Sequence, residues 1–175
     1  MAAVIAWEHI ENSAMGQITR GEAQAVFEAF GGGGLAILRH GGTAHGAPAD
    51  QVGSHGAIRP FDQWNGIQLN ADDWHVIVIA DIEGGDRTFT HRDAVEIIDK
   101  ITVRFDLDGR ALDITRTAIK RFNDPGRFDL EEAYYAQFGR VMAPEELPPG
   151  DHSVHCVMTF DGQVVFENTI TVTVV

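Results

Sequence analysis

The stretch Val154-His155-Cys156-Val157-Met158-Thr159-Phe160-Asp161-Gly162-Gln163-Val164-Val165-Phe166 decides the fold class. Apolar residues recur at every second position up to Phe160, the period of a strand with one buried face. Asp161-Gly162 is a dipeptide that accepts the positive φ of a tight hairpin turn. The entry Leu147-Pro148-Pro149-Gly150 and the closing run Thr169-Ile170-Thr171-Val172-Thr173-Val174 extend this into two long strands. A two-residue turn would set Phe160 opposite Gln163, mixing apolar with polar. A three-residue loop or a bulge sets Phe160 beside Val164 and Met158 beside Phe166. The pattern therefore predicts a bulged or longer turn.

Upstream, Ile101, Val103, Phe105 and Leu107 alternate with Lys100, Thr102, Arg104 and Asp106, and Asp108-Gly109 follows. Here a two-residue turn brings Phe105 opposite Leu112 and Val103 opposite Ile114, so apolar meets apolar. Trp74 to Ile82 is apolar apart from His75 and Asp81, which reads as a central strand covered on both faces, with Glu83-Gly84-Gly85-Asp86 as the turn after it. Three helices are expected. Thr19 and Glu22 have capping-box spacing before a helix over 20–30, Thr90 opens one over 91–99, and Asp129 and Glu132 open one over 130–138. The whole predicts a mainly β chain, an antiparallel β-sandwich with short inserted helices. It reads as a single domain over 1–175, with a helix and Gly/His-rich loop portion over 1–70 packing on a sandwich core over 71–175.

A length of 175 residues is enough for a core without staples. A formal net charge of −13 and a pI near 4.8 disfavour contact with nucleic acid or anionic membrane. The single cysteine, Cys156, excludes an intrachain disulfide and suits a reducing compartment. Met1 to Glu8 carries neither a basic n-region nor the apolar core of a signal peptide. The expectation is a cytoplasmic protein that does not insert into membranes.

The closing run and the Leu147-Pro148-Pro149-Gly150-Asp151-His152 entry, with Phe160-Asp161-Gly162 between them, resemble the last two strands of bacterial immunoglobulin-like domains. Ile101 to Arg121 resembles an earlier hairpin of such a domain. The resemblance covers about the C-terminal half, and its motifs are structural. It implies an immunoglobulin-like sandwich used for adhesion, assembly or as an accessory to another domain, and it transfers no catalytic residue. The chain departs from antibody-type domains in having one cysteine and a large N-terminal portion.

No catalytic motif stands out. Only Ser13, Ser54 and Ser153 are serines, and none sits in a Gly-x-Ser-x-Gly elbow. No histidine follows Cys156, as a blue-copper site would need, so Cys156 and Met158 read as core side chains. Asp106-x-Asp108-Gly109 begins like a calcium loop, but its glycine comes too early and no glutamate closes it. His40, His45 and His55 share one glycine-rich loop and are the candidate ligands for a transition metal such as zinc, against the plainer reading of solvated loop histidines. Otherwise no cofactor is expected. His152 and His155 stand three apart on a strand and point to opposite faces. Trp64, Tyr134 and Tyr135 are the candidate interaction residues, since an aromatic on an acidic surface marks an interface. Tyr134 and Tyr135 are placed on the third helix. The function expected is non-enzymatic, an interaction or structural module with a protein partner or self-association. The alternatives are a histidine-loop metal protein and a carbohydrate-binding accessory module.

Overall fold

The computed structural model describes residues 3–7, 24, 27, 34–38, 58–59, 65–69, 71–72 and 74–175, with the strands before residue 60 described by their backbone alone. Two sheets share these residues. The first has seven strands: β1 (Ala3–Trp7), β2 (Gly34–Leu38), β3 (Ile58–Arg59), β5 (Trp74–Gly85), β8 (Thr115–Arg116), β9 (Lys120–Arg121) and β10 (Glu132–Met142). The second has five: β4 (Ile67–Leu69), β6 (Ile101–Leu107), β7 (Arg110–Ala111), β11 (Gly150–Phe160) and β12 (Gln163–Val174), in the order β4-β12-β11-β6-β7. The chain is mainly β, as the alternation predicts. One buried cluster joins the sheets: Ile77, Ile79 and Met142 from the first meet Phe105, Val154, Cys156, Ile170 and Val172 from the second.

β5 is central. β10 pairs with it along its length, and β1 and β2 share its other edge. Every side chain from Trp74 to Glu83 is buried, so both of its faces are covered as well, which explains why its sequence lacks alternation. The strand also runs through Glu83, Gly84 and Gly85, where the sequence suggests a turn. Gly84 has a reason to be there: a Cβ on it would lie 2.3 Å from the Glu132 carbonyl oxygen. The chain turns only after Gly85 and enters α1 (His91–Ile98). Thr90 caps that helix in a capping box with Asp93, and Ala94 and Ile98 are its buried residues.

The helix expected over 130–138 is a strand. Asp129 adopts a left-handed conformation (φ 57°) and turns the chain out of the short 3-10 turn Pro125–Phe128, rather than capping a helix. β10 then lies between β5 and the short strands β8 and β9. Burial on both faces hides the two-residue period and leaves a spacing that mimics a helix. Of the helix expected over 20–30, Gln24 and Phe27 are helical and the remainder lies outside the described residues.

The Asp108-Gly109 hairpin has its predicted register: Leu107 pairs with Arg110, and the Leu112 amide donates to the Phe105 carbonyl at 2.8 Å. Pairing then stops, because after Leu112 the chain crosses to the first sheet and becomes β8. Val103 and Ile114 still pack against the same clusters. The Asp161-Gly162 turn corrects one expectation and meets another. It is a plain two-residue turn, with φ 50° and 79°, and Phe160 does pair with Gln163. The register then shifts, so Thr159 pairs with Val164 and Met158 with Phe166. Val165 is the extra residue of this bulge. The alternation is restored inside the strand instead of at the turn, because Asp161 and Gly162 satisfy the tight turn so well.

Candidate functional site

The strands place three groups of polar side chains with possible chemistry. The first lines a cleft of about 840 Å³ at one end of the two sheets, formed by the Asp108-Gly109 turn, the crossover to Asp113, the end of β10 and the connection to β11. His152, at the entry of β11, is buried inside it. Its Nδ1 lies 2.7 Å from Asp108 Oδ2 and its Nε2 lies 2.6 Å from the Pro148 carbonyl oxygen. Both neighbours are acceptors, so the ring is best satisfied as an imidazolium donating from both nitrogens. Burial acts to lower its pKa, but the bonds to Asp108 and Pro148 outweigh this and raise it. Burial likewise works against the Asp108 carboxylate, yet the bonds from His152 and the Ser153 amide hold its pKa below the usual range.

This arrangement is a latch. A proton acceptor or metal ligand must offer a free lone pair, and while the ring is protonated neither nitrogen of His152 has one, each being turned to an acceptor. Ser153, its neighbour, therefore finds no base in it. Arg140 is ion-paired with Glu146, and Arg110, Asp113 and Glu145 face the open cleft. The latch ties the β6–β7 turn to the approach to β11 across 44 residues of chain. A raised folded-state pKa means that its stabilisation is full below the ordinary histidine pKa and is lost as the pH climbs through the folded value. Replacing His152 by glutamine should lower stability by about 1–3 kcal/mol at pH 5.5. The gap to the parent should narrow at pH 8.5. Urea melts at the two pH values measure it, and a gap independent of pH would contradict the imidazolium assignment.

The second group lies on the outward face of the second sheet. Arg104 and Asp106 on β6, His155 on β11 and Glu167 on β12 form a chain across three strands. Arg104 Nη2 lies 2.8 Å from Asp106, His155 Nδ1 3.3 Å from Asp106, and His155 Nε2 3.0 Å from Glu167. The Arg104 bond is the main cause of the lowered Asp106 pKa. The two carboxylates sit on opposite nitrogens of one ring, so they cannot share a metal ion with it. His155 points outward and His152 inward, as their spacing predicts.

The third group is buried in β5. His75 has no exposed surface, and neither ring nitrogen has a hydrogen-bond partner among the described residues. Burial first, and the charge of His152 second, lower its pKa to about 4, so it is neutral near pH 7. Asp81 is equally buried, and its pKa is raised to about 8 by burial first and by the neighbouring Glu83 carboxylate second. Glu83 is shifted upward too, mainly by its burial.

Of the residues expected to act, two are described, Tyr134 and Tyr135. His40, His45, His55 and Trp64 lie outside the described residues. Tyr134 and Tyr135 are on β10, not a helix, and point to opposite faces of the sheet. Tyr134 packs beside Phe89 and edge-on to His91, with a centroid distance of 5.5 Å to the latter. Tyr135 meets Phe122 edge-on at 5.9 Å. Each belongs to a packed aromatic cluster, and together they cannot form one flat platform for a sugar. The basic run around Arg116 and Arg121 is neutralised by ion pairs with Asp99 and Glu132, both at 2.6 Å. Cys156 is buried, and burial drives its thiol pKa upward, as for a core side chain.

The His152 latch and the buried Asp81 are the features that sequence reasoning missed. Asp108-Gly109 and Pro149-Gly150-Asp151-His152 are each legible as turn and entry, but only the pairing of β6 with β11 brings them together. Compared with known proteins, the chain matches no family model, and no curated protein is similar enough to it to count as a relative.

Proposed function

We propose that this chain is an immunoglobulin-like β-sandwich that works through contact with other proteins, as an interaction module or a structural subunit of an assembly. The observation that carries the reading is strand order. Immunoglobulin-like domains run A, B, C, D, E, F, G, with B, E and D in one sheet and C, F and G in the other. Along this chain β5, β10 and β8 lie adjacent in one sheet, and β6, β11 and β12 in the other. In sequence order they take the places of B, E, D and C, F, G. The short β7 extends the second sheet beside β6, and β4 runs parallel to β12 at its other edge. Cys156 on the F-like strand packs in one cluster with Ile77 and Ile79 on the B-like strand, where antibody domains carry a disulfide.

Fold alone does not assign activity. What favours contact over catalysis is the state of the polar groups: the cleft histidine has both nitrogens bonded to acceptors, and the cysteine lies in the core. The test is size-exclusion chromatography with light scattering, on the purified protein and on the protein drawn from its native lysate. The reading expects a defined oligomer or a stoichiometric complex. A strict monomer with no co-purifying partner would count against it. The metal alternative rests on His40, His45 and His55, and elemental analysis of untagged protein with and without added Zn²⁺ addresses it.

A further inference from the structure

The two sheets treat their edges differently. In the first, β8 and β9 are two residues each and carry Arg116, Lys120 and Arg121, short and charged in the manner of a protected edge. In the second, β12 is twelve residues long, and β4 covers it only at Val172–Val174. Among the described residues no strand pairs with its outer edge from Gln163 to Ile170. That length contains neither Lys, Arg nor Pro, the usual guards.

The backbone direction follows from Thr171, whose carbonyl accepts from the Gly66 amide at 2.7 Å and whose amide donates to Asn65 Oδ1 at 2.8 Å. Its amide and carbonyl thus point away from β11. By the two-residue period those of Thr169 and Glu167 do the same. The Thr169 amide is held by Asn168 Oδ1 at 2.7 Å, a side-chain stopper on the edge. Val164 and Val165, at the bulge, are 58% and 53% exposed and stand as apolar neighbours of this edge.

We propose that the edge of β12 from Gln163 to Thr169 receives an extended segment of a partner protein by strand addition, and that the segment carries basic residues. This deepens the reading of the chain as an interaction module and rests on it. Charge selects the partner. From Val141 to Val175 the chain has no Lys or Arg, while Glu145, Glu146, Asp151, Asp161 and Glu167 are all acidic. Glu167 stands on the edge itself with its side chain 57% exposed. A second copy would set this acidic edge against its own like, with −13 on each chain. A basic segment has the opposite sign, and alternate apolar side chains on it would cover Val165 while its backbone continues the ladder. Asn168 gives up the Thr169 amide as the strand docks.

The test uses the full-length ¹⁵N-labelled protein and a blocked heptapeptide, acetyl-Lys-Val-Thr-Val-Lys-Val-Thr-amide, beside the same peptide with glutamate for lysine. The lysine peptide should shift the amides of Val165, Glu167 and Thr169 and slow their hydrogen exchange at least tenfold, and the glutamate peptide should not. Val165→Lys, at an exposed position, should weaken binding at least tenfold with an unchanged melting temperature. Glu167→Lys should reverse the preference between the peptides. The proposal is overturned if no amide between Gln163 and Thr171 responds at millimolar peptide, if the shifts centre on the cleft or the outward sheet face, or if both peptides act alike. A native complex whose footprint avoids β12 would also overturn it while leaving the interaction reading intact.

Discussion

Replacing Asp81 by asparagine is expected to stabilise the protein at neutral pH by about 2–4 kcal/mol, a rise in melting temperature on the order of 10 °C. Few single substitutions stabilise by so much, and the reason is electrostatic. Asp81 sits in the middle of β5, fully buried, paired across the ladder with Val4 and Ala136. Its folded pKa is about 8, against an ordinary value of 3.8. Because the folded value is the higher one, the stability associated with its proton is complete below the unfolded pKa. It drains away as the pH rises through the folded pKa. His75 acts in the opposite sense: its folded pKa is lowered, so its contribution is present above 6.5 and lost as the pH falls toward about 4. Between roughly pH 4 and 6.5 the two slopes oppose each other. Above 6.5 Asp81 acts without that compensation and should lower stability by about 1.4 kcal/mol per pH unit until near pH 8. Denaturant melts of parent and Asp81→Asn from pH 5 to 9 would show this as a difference that widens to pH 8 and then levels. A difference flat across that range would mean that Asp81 is ionised in the fold.

Gly139→Ala should have the opposite sign and a comparable size. Gly139 lies on β10 opposite Val78, and a Cβ there would stand 2.2 Å from the Ile77 carbonyl oxygen and 2.8 Å from Val78 Cα. Both are backbone atoms of the central strand, so no side-chain rotation relieves the clash. The β5–β10 ladder itself must open. Overpacking of this kind costs about 3 kcal/mol or more, close to the upper end for single substitutions. The matched control is Gly126→Ala, where the added Cβ meets nothing within 4 Å and φ is not positive. Its effect should stay within about 0.5 kcal/mol. Thermal melts of the pair, with far-UV circular dichroism to confirm strand content, separate the two outcomes. Equal melting temperatures would show that β10 can shift away from β5 without loss.

Much of the fold was legible because the two hairpins and α1 are local. Asp108-Gly109, Asp161-Gly162 and the Thr90–Asp93 box each specify geometry within a few residues. β10 was not legible, because its two-residue period disappears when Ala133 and Ala136, Gln137 and Phe138 are all buried by neighbours contributed from elsewhere in the chain. The bulge at Val165 was legible as a need but not as a place: the alternation demanded an extra residue, and the turn chemistry decided where it could not go. The latch was illegible for another reason. Its two residues were each placed correctly, Asp108 in a turn and His152 inward at a strand entry, but a hydrogen bond between them exists only once β11 lies beside β6. Asp81 was visible as an interruption in an apolar run, and its electrostatic consequence emerges only when the packed sheets bury it completely.

The pairing of β4 with β12 has a consequence for how the molecule is made. Asn65 and Thr171, which join these strands, stand 106 residues apart. A ribosome adding about 5–20 residues per second needs at least several seconds to pass from one to the other. Within that interval β6 and β7 are made and can pair as a hairpin before the strand that will lie beside β6 exists. The second sheet can gain its centre only when β11 reaches β6, and β12 follows on β11 as a hairpin able to zip locally. Closing β4 onto β12 is then expected to come late, a long loop closure of the kind that slows β-rich chains.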